Sequence, residues 1–133
     1  MRWYFQVLRK YAVFAGRSRR KEWWTFGLIY LVTVFACKGI DILIRTYDHD
    51  SRYGLVSGFY VLATFIPVIA VTVRRLHDTN RSGWWYFIIF IPLAGIMVLL
   101  RFMVEDSQPG ENQYGPNPKM YQAGATAVQS ELF

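Results

Sequence analysis

Apolar residues collect into three long runs, and most charged residues lie between them. The runs extend over residues 23–44, 53–73 and 84–104. Each has about twenty residues, which is the length that an α-helix needs to cross the hydrocarbon core of a bilayer. The pattern therefore predicts three transmembrane helices.

The first run contains two charged residues near its far end, Lys38 and Asp41. The long side chain of Lys38 can reach toward the head groups, and the two residues lie three apart, so that they can pair on one helix face. A lipoprotein-type leader ending before Cys37 is the alternative, but the bulky Phe35 fits poorly before a processing site. We therefore expect the run to remain as a transmembrane helix.

The two ends of the chain are more polar than the runs. Residues 2–14 combine basic residues with apolar residues at helical spacing, which predicts an amphipathic helix on the membrane surface; a short, partly ordered tail is the alternative. Residues 119–133 show no apolar periodicity. We therefore predict one all-α membrane domain over residues 1–118, followed by a flexible polar tail over 119–133.

Composition supports a membrane protein. Hydrophobic residues make up 53% of the chain, and the net charge is +6. That charge alone is compatible with nucleic acid or with a membrane that contains anionic phospholipids. Because the basic residues flank runs long enough to span lipid, we expect the bilayer as partner and no nucleic acid.

The distribution of lysine and arginine predicts the orientation of the three helices. The N-terminal segment and the segment between the second and third runs are rich in these residues, while the other two polar segments contain few. Basic segments tend to remain in the cytoplasm. We therefore predict a cytoplasmic N-terminus and a periplasmic or extracellular C-terminus.

The segment between the second and third runs is dense in ionisable groups. With residues from the N-terminal segment on the same predicted side, the candidate cluster consists of Arg17, Arg19, Arg74, Arg75, His77, Asp78 and Arg81. Arg20 and Glu22 lie nearby in the sequence. Clustered arginines can hold a lipid phosphate, and a histidine beside an aspartate can act as an acid–base pair.

Several observations favour an anion-binding or structural role for this cluster over catalysis. Adjacent residues such as His77 and Asp78 often cannot converge on one substrate, and no nucleophile motif accompanies them. The single cysteine, Cys37, excludes a cysteine metal cluster. We expect no enzymatic activity, no metal and no cofactor. Four tryptophans beside the basic segments are predicted to be anchors at the membrane interface: Trp23, Trp24, Trp84 and Trp85.

Three motifs carry a family resemblance. They are FAGRSRRKEW at 14–23, RRLHD followed by RSGWW at 74–85, and NQYGPNP at 112–118. In order and spacing they resemble the signatures of the bacterial domain of unknown function 805 family. The resemblance covers residues 11–118 and implies a multi-pass protein of the bacterial inner membrane, but it implies no particular activity.

These observations lead to a main functional hypothesis and two alternatives. The main hypothesis is a non-enzymatic binding or accessory protein whose cytoplasmic cluster holds anionic lipid head groups or a membrane protein partner. The first alternative is a homo-oligomeric transporter or channel subunit with a pore lined by Thr33, Ser57, Thr64 and Thr72. The second is a membrane enzyme that uses His77 and Asp78.

Overall fold

The computed structural model describes residues 2–50 and 52–131, and this part of the chain is helical, without strands. Its helices are α1 (Arg2–Arg9), α2 (Arg20–Leu43), α3 (Leu55–Asp78), a 3-10 helix (Gly83–Phe90), α4 (Ala94–Val104) and α5 (Pro118–Glu131). The prediction of an all-helical fold is therefore confirmed for the described residues.

Helices α2 and α3 form an antiparallel pair, and each contains 24 residues, enough to cross a membrane. Large apolar side chains are exposed on both, among them Leu28, Phe35, Phe59 and Leu62. Such a surface is unfavourable in water but is solvated by lipid chains. Two of the three predicted spans thus have both the length and the surface of transmembrane helices.

Helix α3 continues through Pro67, which lacks the N–H that would bond to the carbonyl oxygen of Ala63. The hydroxyl of Tyr11 donates to that oxygen at 2.6 Å. Satisfying the released carbonyl in this way allows a proline inside a membrane helix. The segment after α1 therefore stabilises α3 at its proline.

The third predicted span is wrong as one continuous helix. Residues 84–104 instead form two arms, the 3-10 helix and α4. Pro92 disfavours the helical conformation at Ile91, whose backbone is extended, and Leu93 takes a positive φ of 58°. Each arm is about 16 Å long, which is about half the thickness of the hydrocarbon core.

The two arms pack against each other as a hairpin. Trp85 on the first arm and Phe102 on the second have ring centroids 5.7 Å apart. Nearer the turn, a Cβ added at Gly95 would lie 1.7 Å from the carbonyl oxygen of Ile88. Glycine is therefore required where the arms come closest, and the chain leaves the hairpin at the end where it entered.

This hairpin brings the C-terminal segment back to the N-terminal one. The amide of Gln108 donates to the carbonyl oxygen of Asp78 at 3.0 Å, and the amide of Ser18 donates to that of Arg74 at 3.1 Å. We call the assembly of residues 16–22, 74–82 and 105–118 the polar end. The three-span prediction puts the first and last of these segments at opposite ends, whereas in the structure Arg17 of the first donates to the carbonyl oxygen of Gly110 of the last at 2.8 Å.

At the other end of the α2–α3 pair, Asp41 caps α3 and does not pair with Lys38. Its carboxylate is fully buried and accepts from the amides of Val56 at 2.9 Å and Ser57 at 2.8 Å. A carboxylate at a helix N-terminus satisfies amides that have no partner within the helix. The ammonium of Lys38 lies 4.8 Å from the ring centre of Tyr53.

The terminal helices also differ from the predictions. Helix α1 ends at Arg9, before the predicted end at residue 14, and its buried Val7 packs on Phe26 and Val71. The predicted flexible tail contains α5, whose first turn is stabilised by Asn117 accepting from the amide of Lys119 at 3.0 Å. Residues 132 and 133 of that tail lie outside the described residues.

Candidate functional site

Asp78 is the centre of the polar end. Its fully buried carboxylate accepts from Arg17 Nε at 2.9 Å, from Ser107 Oγ at 2.5 Å, and from Arg75. Arg17 also donates to the carbonyl oxygens of Gln108 at 2.6 Å and Gly110 at 2.8 Å. One carboxylate and one guanidinium thus tie together the N-terminal segment, the end of α3 and the C-terminal segment.

Arg75 connects Asp78 to the end of α4. Its guanidinium donates to the carbonyl oxygens of Met103 and Glu105, where α4 ends. A cation at this position is favourable because the last carbonyls of a helix have no intrahelical partner. Arg75 is fully buried, and its hydrogen bonds go to other groups of the protein. Its role in the structure is therefore to join α3 to the end of α4.

His77 and Asp78 point to different partners. The His77 ring stacks on Tyr114 with centroids 3.9 Å apart, and its Nδ1 donates to the carbonyl oxygen of Gly16 at 3.2 Å. The carboxylate of Asp78 is held by Arg17, Arg75 and Ser107. His77 and Asp78, which the sequence suggests as an acid–base pair, therefore bind different partners and do not contact a common group.

Arg81 and Arg19 also contact the C-terminal part of the chain. Arg81 donates to the Glu105 carboxylate at 2.5 Å and lies 4.0 Å from the ring centre of Phe102. Arg19 Nε donates to the carbonyl oxygen of Pro118 at 3.1 Å. Every predicted cluster residue thus belongs to the polar end, although the residues do not converge on one point.

The polar end contains a second buried charge pair. Arg74 and Glu22 are 1% and 3% exposed, and Arg74 Nη2 is 3.6 Å from Glu22 Oε1. Among the described residues, Glu22 Oε1, both Nη atoms of Arg74 and the Oγ of Ser18 have no hydrogen-bond partner. Unpaired buried polar atoms are rare and require an explanation such as an ordered water or a ligand.

Glu22, but not Arg74, lines a cavity of about 390 Å³. Its volume lies in the range of small-molecule sites. It lies between α1, the start of α2 and the C-terminal segment, and the lining residues important here are Trp3, Lys10, Arg19, Glu22, Tyr114 and Tyr121. Arg17 also lines it. The cavity therefore combines cationic side chains, one buried carboxylate and aromatic rings.

The C-terminal helix is fixed to the polar end by surface charges. Asp106 accepts from Lys119 and from the amide of Ser107, and it lies 3.4 Å from Arg20. The hydrogen bond from Lys119 holds the pKa of the Asp106 carboxyl below its usual range. At neutral pH the carboxylate is therefore charged and pairs with Lys119 in the first turn of α5.

The four predicted interface tryptophans have different surroundings. Trp24, Trp84 and Trp85 are exposed, as an interface anchor requires. Trp23 is half-buried, and its indole donates to Thr72 Oγ1 at 3.1 Å. Trp23 therefore joins α2 to α3, and the anchoring role of the other three stays a prediction.

The hydroxyl residues proposed as a pore lining are bonded within their own helices. Thr33, Thr64 and Thr72 each donate to the carbonyl oxygen four residues earlier. Ser57 is buried and accepts from the amide of Gly54. In residues 2–50 and 52–131, no three His, Cys, Asp or Glu side chains gather in a way that could hold a metal ion.

Comparisons with known proteins agree with the family resemblance of the sequence motifs. The family model described as "Protein of unknown function (DUF805)" matches residues 11–116. Inner membrane protein YhaI of Escherichia coli K12 is 42% identical over 119 residues, which cover 90% of this chain and 97% of that protein. Inner membrane protein YhaH of the same strain is 38% identical over 120 residues, covering 90% and 98%. No solved structure matches.

Proposed function

The chain belongs to the DUF805 family of proteins of unknown function, and we propose that it is a non-enzymatic binding or accessory protein of the inner membrane. In this proposal, the cavity of the polar end holds the phosphate of an anionic phospholipid head group. The predicted homo-oligomer or membrane protein partner stays a prediction.

The proposal includes a topology. Helices α2 and α3 cross the membrane, and the hairpin of the 3-10 helix and α4 enters it only partway. The contacts between residues 16–22 and 105–118 support this arrangement, because hydrogen-bonded segments lie on the same side. The basic residues of the polar end favour the cytoplasmic side, so both the N-terminal and the C-terminal segments face the cytoplasm.

The observation that carries the proposal is the combination of cations and aromatic rings around the cavity. Lys10 and Arg19 line it together with Trp3 and Tyr121. Cationic side chains bind phosphate through charge-assisted hydrogen bonds, and basic pockets at the cytoplasmic membrane surface suit anionic head groups. Aromatic rings are common at the level of the head groups.

The predicted cluster contributes to this site mainly as its foundation. Arg75 and Asp78 are fully buried, and Arg17 is 8% exposed. Their hydrogen bonds to each other and to backbone carbonyls leave them little capacity for a ligand. We therefore assign phosphate binding to the cavity side chains, and the buried arginines to holding the cavity walls together.

The same geometry supports a binding or accessory role over the membrane enzyme and over the transporter or channel subunit. A general base needs an open position within hydrogen-bond reach of substrate, and the Asp78 carboxylate already has three donors. A pore needs hydroxyls directed toward a shared path, whereas Thr33, Thr64 and Thr72 donate to their own helices.

Native mass spectrometry of the full chain, extracted with its own lipids, tests the proposal. Replacing Lys10 and Arg19 together with alanine removes two cations from the cavity, and each charge-assisted hydrogen bond is worth about 1.5–3 kcal/mol. We expect phospholipid retention to fall by about tenfold or more. The measurement is the fraction of protein that carries bound phospholipid.

The matched control replaces Arg9 and Lys21, two exposed cations of the same segment, with alanine. This variant has the same net charge as the cavity variant, so it separates a site from general surface attraction. Retention close to that of the unmodified chain supports the proposal. Equal loss in both variants, or no loss in either, contradicts it.

A further inference from the structure

We infer that the hairpin of the 3-10 helix and α4 is a docking surface, inside the membrane, for a second copy of this chain. The inference rests on the topology in the proposed function, in which the hairpin enters the membrane only partway. It does not depend on phosphate binding in the cavity. The surface has three parts, which are an aromatic ridge, a groove beside it and the tip of the hairpin.

The ridge consists of Trp84, Phe87 and Phe90, and all three side chains are more than half exposed. A 3-10 helix has about three residues per turn, so side chains three positions apart lie above one another. The rings of Trp84 and Phe87 stack with centroids 5.5 Å apart, and those of Phe87 and Phe90 with centroids 6.1 Å apart. Runs of this helix longer than about four residues are uncommon, and the eight residues here keep the three rings in one row.

The groove lies directly beside the ridge and is mainly apolar. The residues that line it are Ser82, Trp84, Trp85, Ile88 and Ile91. Trp84 thus belongs to both the ridge and the groove. A ridge and a groove side by side on one face make that face self-complementary, because each can receive the other across a two-fold axis.

The tip of the hairpin has a strained and exposed backbone. Leu93 has φ 58° and ψ −62°, and the amide of Ala94 donates to the carbonyl oxygen of Pro92 at 2.7 Å, which together form a classic γ-turn. Leu93 is 82% exposed. In residues 2–50 and 52–131, no backbone carbonyl accepts from the amide of Leu93. Strained backbone of this kind persists where surrounding structure holds it in place.

Such a tip is unfavourable against lipid. Each arm reaches about half the thickness of the hydrocarbon core, so the tip lies near the centre of the bilayer. Irregular backbone is tolerated at that depth only where protein or a water-filled cavity covers it. Phe90 and Ile91 extend the ridge and the groove to within a few residues of Leu93. A polypeptide docked on this face therefore also covers the tip.

A second copy fits this surface because equivalent residues of a two-fold dimer lie at the same depth when the axis is perpendicular to the membrane. The ridge of each copy enters the groove of the other, and the two tips meet near the bilayer centre. Close packing of this kind drives helix association in lipid. An acyl chain could fill the groove, but it has no acceptor for the amide of Leu93. The tip of a second copy carries backbone carbonyl oxygens.

Energy transfer between donor-labelled and acceptor-labelled copies in liposomes measures dimerisation. The full chain carries the label at Ala123→Cys in a Cys37→Ser background. We expect the unmodified hairpin to give dimers as the ratio of protein to lipid rises. Phe87→Ala combined with Phe90→Ala removes two rings of the ridge from each copy, and we expect the dimerisation constant to weaken by about thirtyfold or more.

The matched control is Phe35→Ala combined with Phe59→Ala, which removes two exposed rings from α2 and α3. It makes the same chemical change away from the hairpin, so it separates the ridge from a general loss of apolar surface. Dimerisation close to that of the unmodified chain supports the proposal. Equal weakening in both variants, or no weakening in either, overturns the assignment to this face.

Cross-linking at the tip leaves the ridge and the groove intact. In the Cys37→Ser background, Leu93→Cys places one thiol at the tip of each copy. Oxidation with copper phenanthroline in native membranes is expected to give a disulfide-linked dimer. Leu62→Cys, at an exposed position of α3, is the control and is expected to give none. A dimer from Leu62→Cys but not from Leu93→Cys contradicts the proposed surface.

The failure of this inference can be distinguished from the failure of the topology. Monomers at every ratio of protein to lipid, with a Leu93→Cys thiol that an impermeant maleimide cannot reach from either side, overturn the second copy and leave the topology intact. A thiol at residue 93 that reacts from one side overturns the partway hairpin, and with it the reason for a partner. Phospholipid retention tests the cavity separately.

Discussion

Single buried charges determine how the polar end is built, and Asp78 has the largest role among them. Its carboxylate contacts arginines from two segments and a serine from a third. Buried charges are stable only when they are paired and hydrogen-bonded. Removing one member of such a set leaves the others uncompensated in a low-dielectric environment.

Asp78→Asn tests this dependence. The variant leaves Arg17 and Arg75 without a counter-charge, and loss of one partner of a buried pair costs about 3–5 kcal/mol. We expect a large drop in the free energy of unfolding measured in detergent. Asp50→Asn, at an exposed aspartate, is the control and is expected to change it by less than about 0.5 kcal/mol. Equal stability of the two variants contradicts the assignment.

Tyr11 gives a second test at this scale. Tyr11→Phe removes the hydroxyl that donates to the Ala63 carbonyl and is expected to cost about 0.5–1.5 kcal/mol of unfolding free energy. In a Pro67→Ala background the new amide at position 67 can bond to that carbonyl, so the cost of Tyr11→Phe should largely disappear. A double-mutant cycle measures this coupling. Additive effects would show that the tyrosine has another role.

The sequence indicates which residues form the polar end better than it indicates what each of them does. The density of arginines predicts Arg17, Arg74 and Arg75 as a group. It does not reveal that Arg75 donates to a carbonyl oxygen at the C-terminal end of α4, or that Ser107 is the third donor to the Asp78 carboxylate. Ser107 lies in a polar segment without periodicity, and only the return of the chain through the hairpin brings it to α3.

At the scale of elements, the hairpin of the 3-10 helix and α4 departs most from the sequence prediction. A run of about twenty apolar residues fits one span or two half-length arms equally well, because composition is the same in both. Pro92 permits a kink as well as a turn. The contact between Gly95 and Ile88 decides for the turn, and it depends on tertiary structure.

Gly95→Ala is the direct test of this hairpin. The new Cβ would lie 1.7 Å from a backbone oxygen, which cannot move like a flexible side chain. We expect the variant to lose the packed hairpin, with a sharp fall in the yield of monodisperse protein. Gly39→Ala in α2 is the control, since a Cβ there meets nothing within 4 Å and alanine favours a helix by up to about 1 kcal/mol. A normal yield of the Gly95 variant would contradict the hairpin.

Asp41 illustrates a further limit on prediction at this scale. Its spacing from Lys38 predicts an ion pair on α2, but its carboxylate accepts from amides at the start of α3. A Cβ at Gly54 would lie 2.2 Å from the Asp41 side chain, so the glycine makes room for this cap. Local spacing proposes only local partners, whereas a helix end can offer better ones across the loop.

The polar end of the molecule is formed by residues 16–22 at the start of α2, residues 74–82 at the end of α3 and residues 105–118 after α4. The sequence predicts alternating basic and non-basic segments on opposite sides of three spans. In residues 2–50 and 52–131, two long apolar helices and a hairpin instead bring the segments 16–22, 74–82 and 105–118 together at one end of the structure. The cavity, the buried charges and the proposed ligand all depend on this arrangement.

Cysteine accessibility in intact cells is the most direct test of whether the α2–α3 loop and α5 lie on opposite sides of the membrane. In a Cys37→Ser background, Asp50→Cys and Ala123→Cys place single thiols at exposed positions in the α2–α3 loop and in α5. A maleimide that cannot cross the inner membrane is added to cells with a permeable outer membrane. We expect residue 50 to react at once and residue 123 only after the inner membrane is lysed. Immediate labelling of both positions would contradict a cytoplasmic C-terminal segment and would favour three transmembrane helices with an external C-terminus.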